Sequence, residues 1–310
     1  MAFSASDAAF EGFRIVRREP GTVAIWAVLL MIASAATIAI MLPTMRDLMA
    51  NMPAPGAART PTSLAASTAI LASMGRLYLV GVPLYLIFMS VFMGGVYRAV
   101  LRPQEKGVAR LRLGGDELRL MGLFVLMGIL GFAVGVVVLL IGAVCVAVAS
   151  AALKGTPAAF GAAFVVLYLV FLAAYAWVAV RLSFAAPMTF AQQKIRLFSS
   201  WRLTKGRFWP LLGCYLLALV FVILVGLVDA AVSGVLAIGL SGGSISRAAT
   251  GLFRPDYSSL ASLFTPIYML RLLIGGAFGM VMWTVMLAPP AAAYREIVAP
   301  RPEDQAETFA

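Results

Sequence analysis

Six apolar runs decide what kind of protein this chain forms. They cover about residues 21–43, 77–101, 119–149, 159–183, 209–239 and 263–294. A helix needs about 20 residues to cross the roughly 30 Å of hydrocarbon in a bilayer, and each run is that long. Spanning β-strands would be segments of about 10 residues with alternating polarity, which are not visible here. With 62% hydrophobic and 12% charged residues, the sequence predicts an all-α membrane protein with six transmembrane helices arranged as three hairpins.

The basic residues predict the orientation of these helices. Of the 24 Lys and Arg residues, 17 lie in the N-terminal tail, at the C-terminus, or in the connections between spans two and three and between spans four and five together with the adjoining ends of those spans. Basic residues are retained on the cytoplasmic side, so both termini are predicted to be cytoplasmic. The net charge of +11 therefore reflects membrane edges and predicts no nucleic-acid partner. An excess of Arg over Lys, with abundant Ala, Val and Gly, indicates a GC-rich bacterial genome and hence the inner membrane.

The chain also repeats a short pattern before its hairpins. "FEGFRIVRREP" (residues 10–20) and "FSSWRLTKGRFWP" (residues 198–210) both read Phe, two residues, an aromatic residue, Arg, an aliphatic residue and then a further cation. We therefore predict one polytopic domain over 1–310, built from pseudo-repeats at about 1–101, 102–183 and 184–298, with a polar tail at 299–310. Each unit would be an interfacial cytoplasmic helix followed by a two-span hairpin. The alternative is that membrane edges converge on such residues independently.

The second copy of this pattern is the candidate binding site. As one helix over residues 187–205, it would place aromatic and basic residues on one face: Phe190, Lys194, Leu197, Phe198, Trp201 and Lys205. Gly206 would end this helix in a left-handed conformation, and Pro210 would lie in the first turn of the next one. The candidate lipid- or phosphate-binding residues are Lys194, Trp201, Arg202, Lys205, Arg207 and Trp209. Generic anchoring by an aromatic belt is the alternative interpretation, and we favour it.

Two opposite charges lie inside predicted spans. Asp229 and Arg271 stand twelve residues before and twelve after a predicted loop at residues 241–259, so antiparallel helices would bring them to a similar depth. A charge at the bilayer centre costs roughly 2.5–3.5 kcal/mol, so each needs a partner or water. We predict an intramembrane pair, which either fixes the hairpin or lines a pathway for an ion or solute.

Small residues predict where helices approach each other. Gly131 and Gly135 in span three, and Gly275 and Gly279 in span six, have the four-residue spacing that permits close helix contact. The contact could be internal or with another subunit, and the glycines also leave open a break in the third helix. Connections rich in Pro, Ala, Ser, Thr and Gly at residues 51–67 and 240–259 are predicted to be flexible loops.

Residues that carry common enzyme chemistry are scarce. The chain has no histidine, and its two cysteines lie far apart within predicted spans. No nucleophile with a base, pair of facing carboxylates or metal-ligand spacing is visible. We therefore predict no enzyme activity, no metal site and no cofactor.

The stretch "SWRLTKGRFWPLLG" (residues 200–213), the six spans and the basic interfacial segments resemble a group of bacterial multi-span proteins. These are related to the membrane domain of membrane-anchored glycerophosphodiester phosphodiesterases. No soluble phosphodiesterase domain is present in this chain, so the resemblance implies a membrane location and no reaction. It transfers no functional residue.

Two functional hypotheses follow from the sequence. The first is a non-catalytic inner-membrane protein that binds anionic lipid, and that organises lipid or packs with other membrane subunits in an assembly. The second is a transporter or channel for a small solute, an ion or a lipid, in which Asp229 and Arg271 line a cavity.

Overall fold

Almost all of the described chain is helical. The computed structural model describes residues 4–51, 64–105, 107–152, 157–253, 256, 259 and 261–298. Its α-helices are, in chain order, α1 (Ala5–Arg18), α2 (Pro20–Asn51), α3 (Leu64–Leu101), α4 (Gly115–Ala152), α5 (Pro157–Leu182), α6 (Ala185–Gln192), α7 (Ser199–Leu203), α8 (Phe208–Leu240), α9 (Ile245–Phe253) and α10 (Pro266–Val298). Within these residues there are also two short 3-10 turns and no strand.

Six of the helices, namely α2, α3, α4, α5, α8 and α10, are long and apolar enough to cross a membrane. They bury few of their side chains within the protein, and the most apolar part of α4 buries none. An apolar surface of this extent is stable in lipid, whereas a soluble protein rarely exposes one. The predicted fold class is therefore confirmed, and the chain is an all-α multi-pass membrane protein.

The first two spanning helices extend beyond their predicted limits at residues 43 and 77. α2 continues through Pro43 to Asn51, and α3 begins at Leu64. These extensions are more polar than the spans, so apolar run length did not detect them. An ion pair of 3.1 Å between Arg76 Nη2 and Asp47 Oδ2 joins the two extensions. Because both side chains are about half exposed, the pair contributes only about 0–1 kcal/mol.

The third spanning helix begins with a cap and has no break. The Gly114 backbone N–H donates to Glu117 Oε2 at 3.0 Å, so Glu117 satisfies a backbone donor at the start of α4 as expected of an acidic residue there. α4 is helical throughout from Gly115 to Ala152. The long third run is therefore one uninterrupted helix.

The chain packs as two compact units. The first unit contains the described residues of 1–8, 113–214 and 290–310, and the second contains those of 9–112 and 215–289. In the first unit α4 packs against α5 and α6, and the fully buried side chains include Leu120, Leu123 and Phe190. In the second unit α2 packs along α3, and the largest buried side chains include Trp26 and Tyr97. The predicted division into three pseudo-repeats stays a prediction.

The two copies of the repeated pattern have different local structures. Residues 10–20 form the end of α1, a one-residue connection at Glu19 and the first residue of α2. Residues 198–210 form the five-residue helix α7, a turn and the start of α8. The resemblance between the two copies therefore lies in their composition and in their place before a spanning helix.

The connection between α8 and α10 is more ordered than the predicted flexible loop. It contains α9, whose Ala248 and Leu252 are buried against Ala237 of α8, with Ile267 of α10 packed beside them. Deeper along the hairpin, a Cβ at Gly226 would lie 3.7 Å from Met282 Sδ. α8 and α10 therefore form the third hairpin. The other predicted loop, at residues 51–67, falls largely outside the described residues.

The close helix contacts use other glycines than the predicted ones. Nothing in the described chain lies within 4 Å of a Cβ built on Gly131, Gly135 or Gly275, and Gly279 has only an ordinary contact with Leu30 at 3.7 Å. No close internal contact is therefore found at these glycines, and packing against another subunit stays a prediction.

A close contact is found instead at Gly12 of α1, in the second unit. A Cβ there would lie 2.9 Å from both the Thr284 carbonyl oxygen and the Val285 backbone nitrogen. α1 therefore approaches the backbone of α10 so closely that only glycine fits without a shift.

Candidate functional site

Residues 181–209 run from the last turn of α5 to the first turn of α8, and all of them belong to the first unit. We call them the basic–aromatic segment. It does not form the single helix predicted over residues 187–205. α6 ends at Gln192, and Gln193 adopts a left-handed conformation with φ of 54°. The Thr189 hydroxyl accepts a hydrogen bond of 3.1 Å from the Arg196 backbone N–H, which fixes the turn that follows α6.

The break separates the residues that were predicted to share one face. Phe190 and Leu197 are buried, whereas Lys194, Phe198, Trp201 and Lys205 are exposed. The predicted end of the segment is confirmed: Gly206 has φ of +79°, in the left-handed region that glycine favours, and Pro210 lies in the first turn of α8.

Two buried hydroxyls attach α7 to the end of α5. The Ser200 hydroxyl donates to the Arg181 carbonyl oxygen at 2.7 Å and accepts from the Phe184 backbone N–H at 3.1 Å. The Thr204 hydroxyl also lies 3.4 Å from the Arg181 carbonyl oxygen. Carbonyl groups in the last turn of a helix lack helical donors, so Ser200 satisfies one of them. These bonds hold α7 beside the last turn of α5.

This attachment places the side chain of Arg181 beside two tryptophans that contact each other. The centre of its guanidinium lies 5.6 Å from the ring centroid of Trp177, one turn earlier in α5, and 5.8 Å from that of Trp201 in α7. The two rings meet edge to face, with centroids 4.9 Å apart. Each cation–π contact contributes about 0.5–2 kcal/mol, depending on desolvation. We call Arg181, Trp177 and Trp201 the Arg181 cage.

The cage holds a charge without a counter-ion. Arg181 Nε and Nη1 are excluded from solvent and have no hydrogen-bond partner in the part of the chain that the structure describes. In the sequence, Arg181 stands only as one of the 17 basic residues predicted to lie at the cytoplasmic edge of the membrane. A signal was present in the four-residue spacing of Trp177 and Arg181, which places both on one face of a helix.

The other cations of the segment also lack acidic partners. Lys194, Arg202 and Lys205 are exposed, and Arg207 donates from Nη1 to the Leu203 carbonyl oxygen at 3.1 Å. Within the described residues, no carboxylate forms an ion pair with any of these four. The sequence explains why, since residues 118–228 contain no Asp or Glu. The segment therefore presents uncompensated positive charge.

The aromatic residues of the segment are only partly covered. Trp209 is 76% exposed and meets the Phe208 ring edge to face at 5.3 Å. The predicted site residues are thus brought to one segment, but only Trp201 takes part in the Arg181 cage.

The connection between α3 and α4 is equally basic but differs in its charge balance. In the second unit, the Arg110 guanidinium donates two hydrogen bonds of 2.7 Å to the Glu19 carboxylate. Arg102 and Arg112 lie 3.5 and 3.7 Å from the carboxylate oxygens of Glu105. This connection is therefore partly neutralised by its own acids, unlike the basic–aromatic segment.

The Arg110–Glu19 pair belongs to a tightly bonded group that we call the Arg110 clamp, formed by Glu19, Trp26, Arg98 and Arg110. Arg98 Nη1 donates to the Arg110 carbonyl oxygen at 2.7 Å, and Trp26 Nε1 donates to the Ala109 carbonyl oxygen at 2.6 Å. Ala109 and Arg110 both have left-handed backbones, with φ of 48° and 57°. Such residues cost about 1–3 kcal/mol each, which the clamp offsets. The bond from Arg110 lowers the pKa of the Glu19 carboxyl below its usual value.

The predicted intramembrane pair does not form. Asp229 and Arg271 make no ion pair in the described chain: Asp229 Oδ1 is buried without a hydrogen-bond partner, and Arg271 is exposed. The ordered connection explains the error. Asp229 lies eleven residues before the end of α8 at Leu240, whereas Arg271 lies five after the start of α10 at Pro266. At 1.5 Å per residue, their distances from those helix ends differ by about 9 Å, so the two residues are not equidistant from the connection.

Comparisons with known proteins give no relative. No protein-family model, curated protein or solved structure matches the chain. Among the described residues there is also no group of three or more Cys, Asp or Glu side chains that could hold a metal ion.

Proposed function

We propose that this chain is a non-catalytic protein of the bacterial inner membrane, whose basic–aromatic segment binds anionic lipid at the cytoplasmic surface. The observation that carries the proposal is that the segment's cations have no acidic partner in the described chain. They flank the ends of two spanning helices, where lipid phosphates lie. The cytoplasmic position follows from the distribution of Lys and Arg, since basic residues accumulate on that side.

The contrast with the Arg110 clamp supports this role. Both segments are basic, but the acids that neutralise the clamp have no counterpart between residues 118 and 228. Exposed Trp201 and Trp209 add rings of the kind that lie at the headgroup level of a membrane. In an assembly, such a surface would recruit anionic lipid around the protein or around a neighbouring subunit.

The test is the lipid that copurifies with the protein. A variant with Lys194→Gln, Arg202→Gln and Lys205→Gln removes three cations of the segment, and a matched control removes three exposed cations elsewhere, with Arg46→Gln, Arg247→Gln and Arg271→Gln. After extraction from membranes containing anionic and zwitterionic lipids, native mass spectrometry measures the lipids retained and the number of protein copies.

We expect wild type and the control to retain more anionic lipid than the membrane average, and the segment variant to lose that enrichment. Each cation near a lipid surface contributes about 1 kcal/mol, so removing three weakens binding up to about a hundredfold at low salt. Equal enrichment in all three proteins would contradict the proposal. Stoichiometric protein partners in the same spectra would support the assembly role.

One observation favours the alternative function, a transporter or channel. The Asp229 carboxylate lies within a spanning helix and has a buried oxygen without a partner, and ionisable groups at such positions often serve ion pathways. In liposomes enclosing a pH-sensitive dye, a proton or ion flux carried by wild type and lost in a folded Asp229→Asn variant would favour transport. Absence of flux in both proteins leaves lipid binding as the proposed role.

A further inference from the structure

The guanidinium of Arg181 has more hydrogen-bonding capacity than the protein uses. Nε and Nη1 are buried and unpartnered, the Arg181 residue is partly exposed, and no described residue forms a hydrogen bond with Nη2. A desolvated charge without a counter-ion is costly, and ring faces recover only part of that cost. An anion that reaches Nη2 would supply the missing counter-charge.

We infer that the Arg181 cage binds one phosphodiester, and that it selects anionic lipid headgroups over those carrying an amine. This inference rests on the proposed lipid-binding function and assigns it a specific site. Arg181 lies one residue before the end of α5, a spanning helix, so its guanidinium lies at the level of a membrane edge. The anionic group present at that level is the lipid phosphate, which a guanidinium binds with charge-assisted hydrogen bonds.

Selectivity follows from what the cage already holds. An ammonium or a quaternary amine binds to proteins through carboxylates or aromatic faces. Here the faces of Trp177 and Trp201 lie against Arg181, and residues 118–228 supply no carboxylate. An ethanolamine or choline headgroup would therefore bring its positive charge to a site already rich in cations. A glycerol headgroup has no such charge and leaves the phosphodiester with its full negative charge.

The position of α7 is part of the site. Trp201 reaches Arg181 because Ser200 bonds to the carbonyl oxygen at the end of α5. The cage therefore depends on α7 folding back against the end of α5. No such arrangement exists after α1, because Glu19 alone separates α1 from α2. Of the two similar sequence segments, residues 10–20 and residues 198–210, only the second therefore contributes to a selective lipid site.

Three probes test this inference on the full-length protein in neutral detergent micelles. They are short-chain phosphatidylglycerol, short-chain phosphatidylethanolamine and inorganic phosphate, each titrated and followed by native mass spectrometry. The variants are Arg181→Gln and Arg181→Lys, with Arg247→Gln as a control that removes an exposed cation outside the basic–aromatic segment. Elution as a single folded species is checked for each variant, and Arg181→Lys retains the charge if Arg181→Gln does not fold.

Wild type should prefer phosphatidylglycerol over phosphatidylethanolamine by about tenfold, because the ammonium of the ethanolamine headgroup is repelled by the nearby guanidinium. Arg181→Gln should lose this preference and Arg181→Lys should reduce it, because lysine lacks the planar fork of donors. Arg247→Gln should keep it. Competition by inorganic phosphate as strong as that of phosphatidylglycerol would overturn the lipid assignment.

The two proposals fail in different ways. If Arg181→Gln and Arg181→Lys keep the full preference while the triple variant at Lys194, Arg202 and Lys205 loses anionic lipid, the Arg181 site is wrong and the proposed function stands. If neither set of variants changes lipid retention, both are wrong.

Discussion

Replacing Gly12 with alanine tests the contact between α1 and α10. The added Cβ would lie 2.9 Å from the Thr284 carbonyl oxygen and from the Val285 nitrogen. These are backbone atoms, so no change of rotamer relieves the overlap. Overpacking costs about 1–3 kcal/mol, and main-chain obstruction favours the upper end of that range. Alanine recovers about 1 kcal/mol of helix propensity, so the expected net loss in the free energy of unfolding is about 2 kcal/mol.

Gly21→Ala is the matched control, because Gly21 is helical and a Cβ there meets nothing in the described chain within 4 Å. Its free energy of unfolding should stay unchanged or rise by up to about 1 kcal/mol. Unfolding by SDS in mixed micelles, followed by tryptophan fluorescence, compares both variants with wild type. Equal stability of the two variants would refute the close approach of α1 to the α10 backbone.

Two further predictions concern the Arg110 clamp. The pKa of Glu19 in the folded protein lies below its usual value of 4.5. Ionised Glu19 therefore contributes fully to the stability of the fold above pH 4.5, and this contribution is lost as the pH falls from 4.5 towards the folded-state pKa. Unfolding measured from about pH 3 to pH 6 should show this loss in wild type and not in Glu19→Gln, and identical pH profiles would contradict it. Trp26→Phe leaves the buried Ala109 carbonyl without its donor and should cost about 1–3 kcal/mol. Trp209→Phe, at a largely exposed side chain, should cost little, so equal losses in the two variants would exclude a contribution from the Trp26 hydrogen bond.

The length of each apolar run predicted the spanning helices, because whether a segment can cross the membrane as a helix depends on its own residues and not on distant contacts. The fifth helix was predicted at residues 209–239 and extends from Phe208 to Leu240. The helix predicted over residues 187–205 failed because spacing does not report backbone conformation. The Thr189 side chain hydrogen-bonds to the backbone at Arg196, and Gln193 turns the chain away. Such local competition between side chain and helix is not visible in an apolar or aromatic pattern.

Pairing across the fold was harder to predict than the helices themselves. The error at Asp229 came from treating the connection after α8 as a symmetrical loop, whereas α9 and a 3-10 turn occupy it and α10 starts late. The contact between Trp177 and Arg181 in the cage could have been predicted from the sequence, since Trp177 precedes Arg181 by one helical turn. The rest of the cage depends on Trp201, twenty residues later, and on the hydrogen bonds that fold α7 back.

The Arg110 clamp can form only if Glu19 and Arg110 lie on the same side of the bilayer. Glu19 precedes α2 and Arg110 follows α3, so two membrane crossings separate a pair of groups that lie 2.7 Å apart. An odd number of crossings would leave the carboxylate and the guanidinium on opposite sides of about 30 Å of hydrocarbon. The clamp therefore cannot close in a molecule in which only one of α2 and α3 has crossed the membrane. In this way a single ion pair distinguishes a chain in which both α2 and α3 cross the bilayer from one in which only one of them does.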